Sequence, residues 1–124
     1  MEFGLFLEFP APDGYTDQES FAQGFTMVDE AESMGVDSVW LAEYHFSPFS
    51  VLSAPLTVAT AVAARTKRIR LGFGVLLLPL NNPIRIAEEA ATLDHISQGR
   101  LELGIGRGTF PDHHDAFDSP FPES

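Results

Sequence analysis

Short apolar runs alternate along the chain with longer stretches in which apolar residues recur every three or four positions. Phe3-Gly4-Leu5-Phe6-Leu7-Glu8-Phe9 is almost continuously apolar, which suits a strand covered on both faces. Pro10, Pro12 and Gly14 break it. Thr16 and Glu19 stand at capping-box spacing, and Phe21, Phe25, Val28 and Ala31 follow at helical intervals. The spacing predicts a helix from Asp17 to Met34, capped by Gly35. A second strand over Ser38 to Ala42 leads into Glu43, Tyr44 and His45. Ser53 as N-cap and Pro55 in the first turn start an Ala-rich helix over Leu56 to Thr66. Ile69 to Leu78 reads as the third strand, with Gly72 and Gly74 marking a bend or a close approach. Asn82-Pro83 opens a helix over Ile84 to Gln98, closed by Gly99, and Leu101 to Gly106 forms a fourth strand that ends on Arg107. From Thr109 onward the periodicity dissolves, and residues 109–124 read as a loop or disordered end.

Regular strand-then-helix alternation predicts right-handed βαβ units and a parallel sheet. Ligands of such sheets bind at the C-terminal ends of the strands. Those ends carry Glu8 and Phe9, Glu43 to His45, Val75 to Leu78, and Gly106 with Arg107. Along an extended strand, Glu43 and His45 point to one side and Tyr44 to the other. His45 beside a carboxylate is a candidate proton-transfer group or a structural histidine. Arg107, flanked by Gly106 and Gly108, suits a phosphate or carboxylate, or is a solvated surface arginine.

Composition narrows the partners. The 124 residues are 44% hydrophobic, enough for one domain with its own core. A net charge of −11 repels nucleic acid and anionic membranes. Cysteine is absent, so disulfides and thiolate chemistry are excluded. No secretory signal and no spanning-length apolar run is visible, and the default expectation is a cytoplasmic protein. Asp112-His113-His114-Asp115 contains metal-ligand residue types, but four adjacent residues cannot all face one ion, and no metal site is expected. The Gly104 to Gly108 run lacks the glycine spacing of a dinucleotide fingerprint. Glu88, Glu89 and Asp94 read as a solvated helix face within reach of Arg85.

Four segments together resemble a known family: Trp40-Leu41-Ala42-Glu43-Tyr44-His45-Phe46, Ala54-Pro55-Leu56-Thr57, Pro83 to Glu89, and Leu93 to Gly108. In order and spacing they are similar to the N-terminal half of bacterial luciferase-like flavin-dependent monooxygenases. The resemblance implies a TIM (β/α)8 barrel, an α/β fold, of which residues 1–108 carry the first four strands and three helices. It implies reduced flavin (FMN, or a deazaflavin in some branches), molecular oxygen, a small organic substrate, a flavin reductase as supplier, and a homo-oligomer, often a dimer packed through the second and third helices. Carried onto this sequence, Glu43 and the Gly74-Val75 backbone, often a non-proline cis peptide in the family, would lie beside the flavin ring, and Arg107 would grip its phosphate. His45 matches the second histidine of the family's Glu-His-His run. Tyr44 stands where luciferase proper has its catalytic histidine, and Gly106 where it has a reactive cysteine, so luminescence is not expected. A complete barrel takes about 250 residues, so a truncated product, a fragment or one piece of a split protein is expected. The alternative is a non-catalytic subunit that stabilises a partner barrel.

Overall fold

A computed structural model describes residues 1–121. The apolar runs pair as four parallel strands in the order β1 (Gly4–Phe6), β2 (Ser38–Leu41), β3 (Arg70–Phe73) and β5 (Leu101–Glu102). A second pair, β4 (Leu76–Leu77) and β6 (Ile105–Gly106), is also parallel and carries β3 and β5 forward after a break. The expected strand over Ile69 to Leu78 is thus interrupted. The Gly74–Val75 peptide is cis, and Leu78–Leu80 forms a 3-10 turn. The fourth strand is interrupted too: at Gly104 an added Cβ would collide with the Phe73 carbonyl oxygen, so only glycine lets the two chains pass this closely.

The helices follow the predicted caps with small shifts. Helix α1 (Asp17–Ser33) begins with the reciprocal Thr16–Glu19 capping box, and Gly35 follows its C-cap at φ 84°. Helix α2 (Pro55–Arg65) has Ala54, not Ser53, as its N-cap and no side-chain cap bond; Pro55 at the first turn leaves no N–H there to satisfy. Helix α3 (Pro83–Ile96) is capped by Asn82, whose side chain accepts from the Ile84 and Arg85 N–H groups. On its exposed face Arg85 pairs with Glu88 at 3.6 Å.

One face of the sheet carries the core. Leu7, Val39, Leu41, Leu71 and Phe73 are buried against Val28 and Ala31 of α1, Val58, Ala59 and Val62 of α2, and Ile86 and Leu93 of α3. Each of the buried Val, Leu, Ile and Phe side chains contributes roughly 1.5–3 kcal/mol, and the alanines less. Alternation puts Phe6 and Trp40 on the opposite face. There the indole lies over Gly72, where an added Cβ would come within 2.6 Å of the ring. Phe6 is half exposed, as are Leu103 and Ile105 in the fourth strand.

The region from Thr109 differs from expectation. Pro111–Ala116 forms a short helix, α4, which the sequence reading assigned to a loop. Gly108 at φ 82° turns the chain back, and His113 and His114 are buried under the strand ends. The part of the expected loop at 122–124 lies outside the described residues.

Candidate functional site at the C-terminal rim

Four elements deliver the candidate residues to one end of the sheet. The segment after β2 brings Glu43, Tyr44 and His45; the break between β3 and β4 brings Gly74 and Val75; β6 delivers Arg107; and the residues after β1 bring Glu8. Parallel register makes this inevitable, because Leu41 stands beside Phe73 and Leu77 beside Gly106.

Glu43 and His45 form one buried pair. The His45 Nε2–H donates to Glu43 Oε2 at 2.7 Å, and the Leu77 N–H donates to Glu43 Oε1 at 3.2 Å. The carboxylate therefore ties β2 to β4. Phe117 and His113 pack against the His45 ring at centroid distances of 4.7 and 5.3 Å. A cleft of about 320 Å³ opens between this pair, the start of α2 and Ile86 and Glu89 of α3.

Tyr44 belongs to a different pair. Burial and a hydrogen bond to the Glu8 carboxylate both push its phenol above the ordinary tyrosine value, so it remains a neutral donor. Although β2 ends at Leu41, Glu43 and His45 bond to each other, while the Tyr44 phenol responds to Glu8. Tyr44 and His45 also border a second, aromatic cleft of about 400 Å³ with Phe46, Phe49, Phe110 and His113.

Arg107 lies on a third cleft, walled by Leu78, Pro79, Pro83 and Ile105, with Asn81 at its edge. A guanidinium set among apolar walls suits an anionic group on an otherwise apolar ligand. Glu43, His45 and Arg107 thus share a pole without sharing a cleft; Asn81 borders both the Glu43 cleft and the Arg107 cleft. Val75 instead covers Gly106, where an added Cβ would stand 2.5 Å from Val75 Cγ2. Gly74 is different. Its added Cβ would find only Phe6 and Trp40, both at 3.9 Å, so the backbone there is open to close approach by a flat ligand. Bare backbone at Gly74, a fixed carboxylate at Glu43 and the cation of Arg107 stand at the same pole of the sheet.

The model of the luciferase-like monooxygenases matches residues 1–124. This chain belongs to the luciferase-like monooxygenase family. Among relatives of this family member, 4-hydroxyprotoasukamycin monooxygenase of Streptomyces nodosus subsp. asukaensis is 38% identical over 90% of this chain and 30% of its own. The oxygenating constituent of 3,6-diketocamphane monooxygenase from Pseudomonas putida, solved in complex with FMN, superposes with a TM-score of 0.88 at 29% identity, over 94% of this chain and 32% of its own. The coenzyme F420 dependent tetrahydromethanopterin reductase of Methanopyrus kandleri superposes with a TM-score of 0.70 at 28% identity, over 97% of this chain and 30% of its own. The chain spans about a third of the length of these relatives. Its fold is accordingly a partial TIM barrel.

Among the described residues no group of three or more His, Cys, Asp or Glu is placed to hold a metal ion. Among the same residues no helix is long and apolar enough to cross a membrane. Sequence reasoning did not find that His113 and His114 support the site. The His113 Nε2–H donates to the His45 carbonyl and that of His114 to the Arg107 carbonyl, each at 3.0 Å. The available signal was Pro111 following Phe110, a helix-start signature.

Proposed function

We propose that this chain forms the N-terminal part of a flavin-dependent monooxygenase. It would use reduced FMN, or a deazaflavin in its place, with molecular oxygen and a small organic substrate. When bound, the flavin supplies the oxygen chemistry. Arg107 holds the phosphate, the Gly74–Val75 backbone and the Glu43 carboxylate border the ring, and His45 and Tyr44 hold protons at the rim. Membership of the family, together with relatives described as an FMN complex and as a coenzyme F420 enzyme, supports the cofactor. A flavin reductase as supplier, a cytoplasmic location and a homo-oligomer belong to the same proposal. Half-exposed Phe6, Leu103 and Ile105 give the uncovered sheet face a reason to seek a partner. Because the chain spans a third of its relatives, turnover is proposed for a completed barrel, and weak flavin binding for these 124 residues.

The observation that carries the reading is Arg107, just past β6, in a cleft with apolar walls. Equilibrium dialysis against FMN tests it. Arg107→Ala should weaken binding by about tenfold, the loss of one charge-assisted contact of about 1.5 kcal/mol. Unchanged affinity would remove Arg107 from the site, and no detectable flavin binding would favour the non-catalytic subunit.

A further inference from the structure

Residues 113 and 114 lie outside the family resemblance read from the sequence, which stops at Gly108, yet they are the buried polar side chains of α4. His114 is 1% exposed, with its ring edge-on to Phe121 at 5.0 Å. Its Nε2 meets the Arg107 carbonyl at 3.0 Å. A carbonyl only accepts, so Nε2 carries the hydrogen and Nδ1 is left bare. That Nδ1 has no hydrogen-bond partner among the described residues. The imidazole therefore spends its polar capacity on a single bond, and the bond is to the backbone of the residue assigned to the phosphate. Gly108, at φ 82°, makes the turn that allows it; an added Cβ there would lie 3.7 Å from His114 Nε2. Two further bonds fix α4 relative to the cleft that Arg107 lines. The Ser119 N–H donates to the His114 carbonyl, and the Ser119 hydroxyl donates to the carbonyl of Pro79, a residue of that cleft wall.

We infer that His114 is a positioning residue for phosphate recognition: by holding the Arg107 carbonyl it sets the backbone from which the guanidinium reaches into its cleft. Arg107 stands just before a glycine turn, and a group fixed by its supporting shell loses less freedom on binding. The inference deepens the flavin reading and rests on it. His113 does the parallel task for a different residue, since its Nε2–H is bonded to the His45 carbonyl.

The test compares FMN with riboflavin, which differ only by the phosphate, in equilibrium dialysis with the 124-residue chain. Wild type should prefer FMN by about tenfold, the worth of one charge-assisted bond. His114→Leu should reduce that preference to threefold or less while leaving riboflavin affinity unchanged. His114→Gln, whose amide nitrogen can occupy the Nε2 position, should restore it to within twofold of wild type. His113→Leu should leave the ratio unchanged, because it releases His45 and not Arg107. Should His114→Leu fail to fold, His114→Asn carries the test, its amide being too short to reach the carbonyl. Full FMN preference in a folded variant lacking the donor would overturn this inference alone. Equal affinity of wild type for FMN and riboflavin would overturn the flavin-phosphate reading and this inference with it.

Discussion

The two ends of the sheet are built on opposite rules. At the end where the strands begin, charged groups are saturated by partners. The Glu32 carboxylate accepts the backbone N–H groups of Lys67, Arg68 and Ile69 at 2.9–3.0 Å. Arg100 donates to Thr66 Oγ1 and to the carbonyls of Ala63, Thr66, Ile69 and Ser97. Asp29 and Arg65 form a two-pronged pair at 2.7 and 2.8 Å, which lowers the carboxyl and raises the guanidinium. At the end where the strands finish, backbone is bare at Gly74, and among the described residues Nδ1 of both His113 and His114 faces no partner. The difference teaches where to look: saturated charge marks the end that holds the barrel together, and under-used polarity marks the end available for chemistry.

Arg100 offers the largest test of that contrast. Burial pushes its guanidinium below the ordinary arginine value, while the Glu32 charge pulls the other way. Arg100→Ala should destabilise by about 3 kcal/mol, because it strands carbonyls under the end of α2 and the start of β3. Urea unfolding of the two chains reads this directly. A cost below about 1 kcal/mol, ordinary for an exposed ion pair, would erase the distinction between the two ends.

Glu32 sharpens it through pH. Its burial raises the carboxyl value, but the N–H donors of Ile69, Arg68 and Lys67 outweigh that, and the net shift is downward from 4.5. A carboxyl lowered on folding stabilises above its ordinary value and loses that contribution as pH falls through the lowered one. Glu32→Gln should therefore cost about 2 kcal/mol at neutral pH and progressively less in acid. A difference between wild type and variant that stays constant from neutral to strongly acid solution would assign the effect to packing instead.

Legibility in the sequence divides along the same line. The order of helices and the parallel sheet were readable, because Phe21, Phe25, Val28 and Ala31 repeat at helical spacing and Leu5, Leu7, Val39 and Leu41 share a buried face. Caps built from neighbours in sequence, such as Thr16 with Glu19, were readable too. Features that depend on a partner far along the chain were not. The break in the fourth strand is set by the Phe73 carbonyl against Gly104, and the fixing of Glu43 by the Leu77 N–H, thirty-four positions away. Helix α4 was invisible for a related reason. Its six residues have no apolar stripe, and what buries His113 and His114 are the turn at Gly108 and the carbonyls of His45 and Arg107.

The smallest expected effect on stability is at the other end, at Tyr44. Its phenol donates to Glu8, an exposed carboxylate that water can serve if the phenol is removed. Tyr44→Phe should accordingly cost less than about 1 kcal/mol, well below the loss at Arg100. The spectroscopic effect should be plain nevertheless. A phenol raised on folding keeps its proton past about pH 10, so the late-ionising part of the absorbance titration in the wild type should vanish in the variant. The sign follows from linkage: the pair contributes below the unfolded tyrosine value and is lost as pH rises through the folded one. A Tyr44→Phe chain with an unaltered titration would detach Tyr44 from Glu8. A loss of stability as large as that of Arg100→Ala would show that this end, too, is structural, and the division between the two ends would fail.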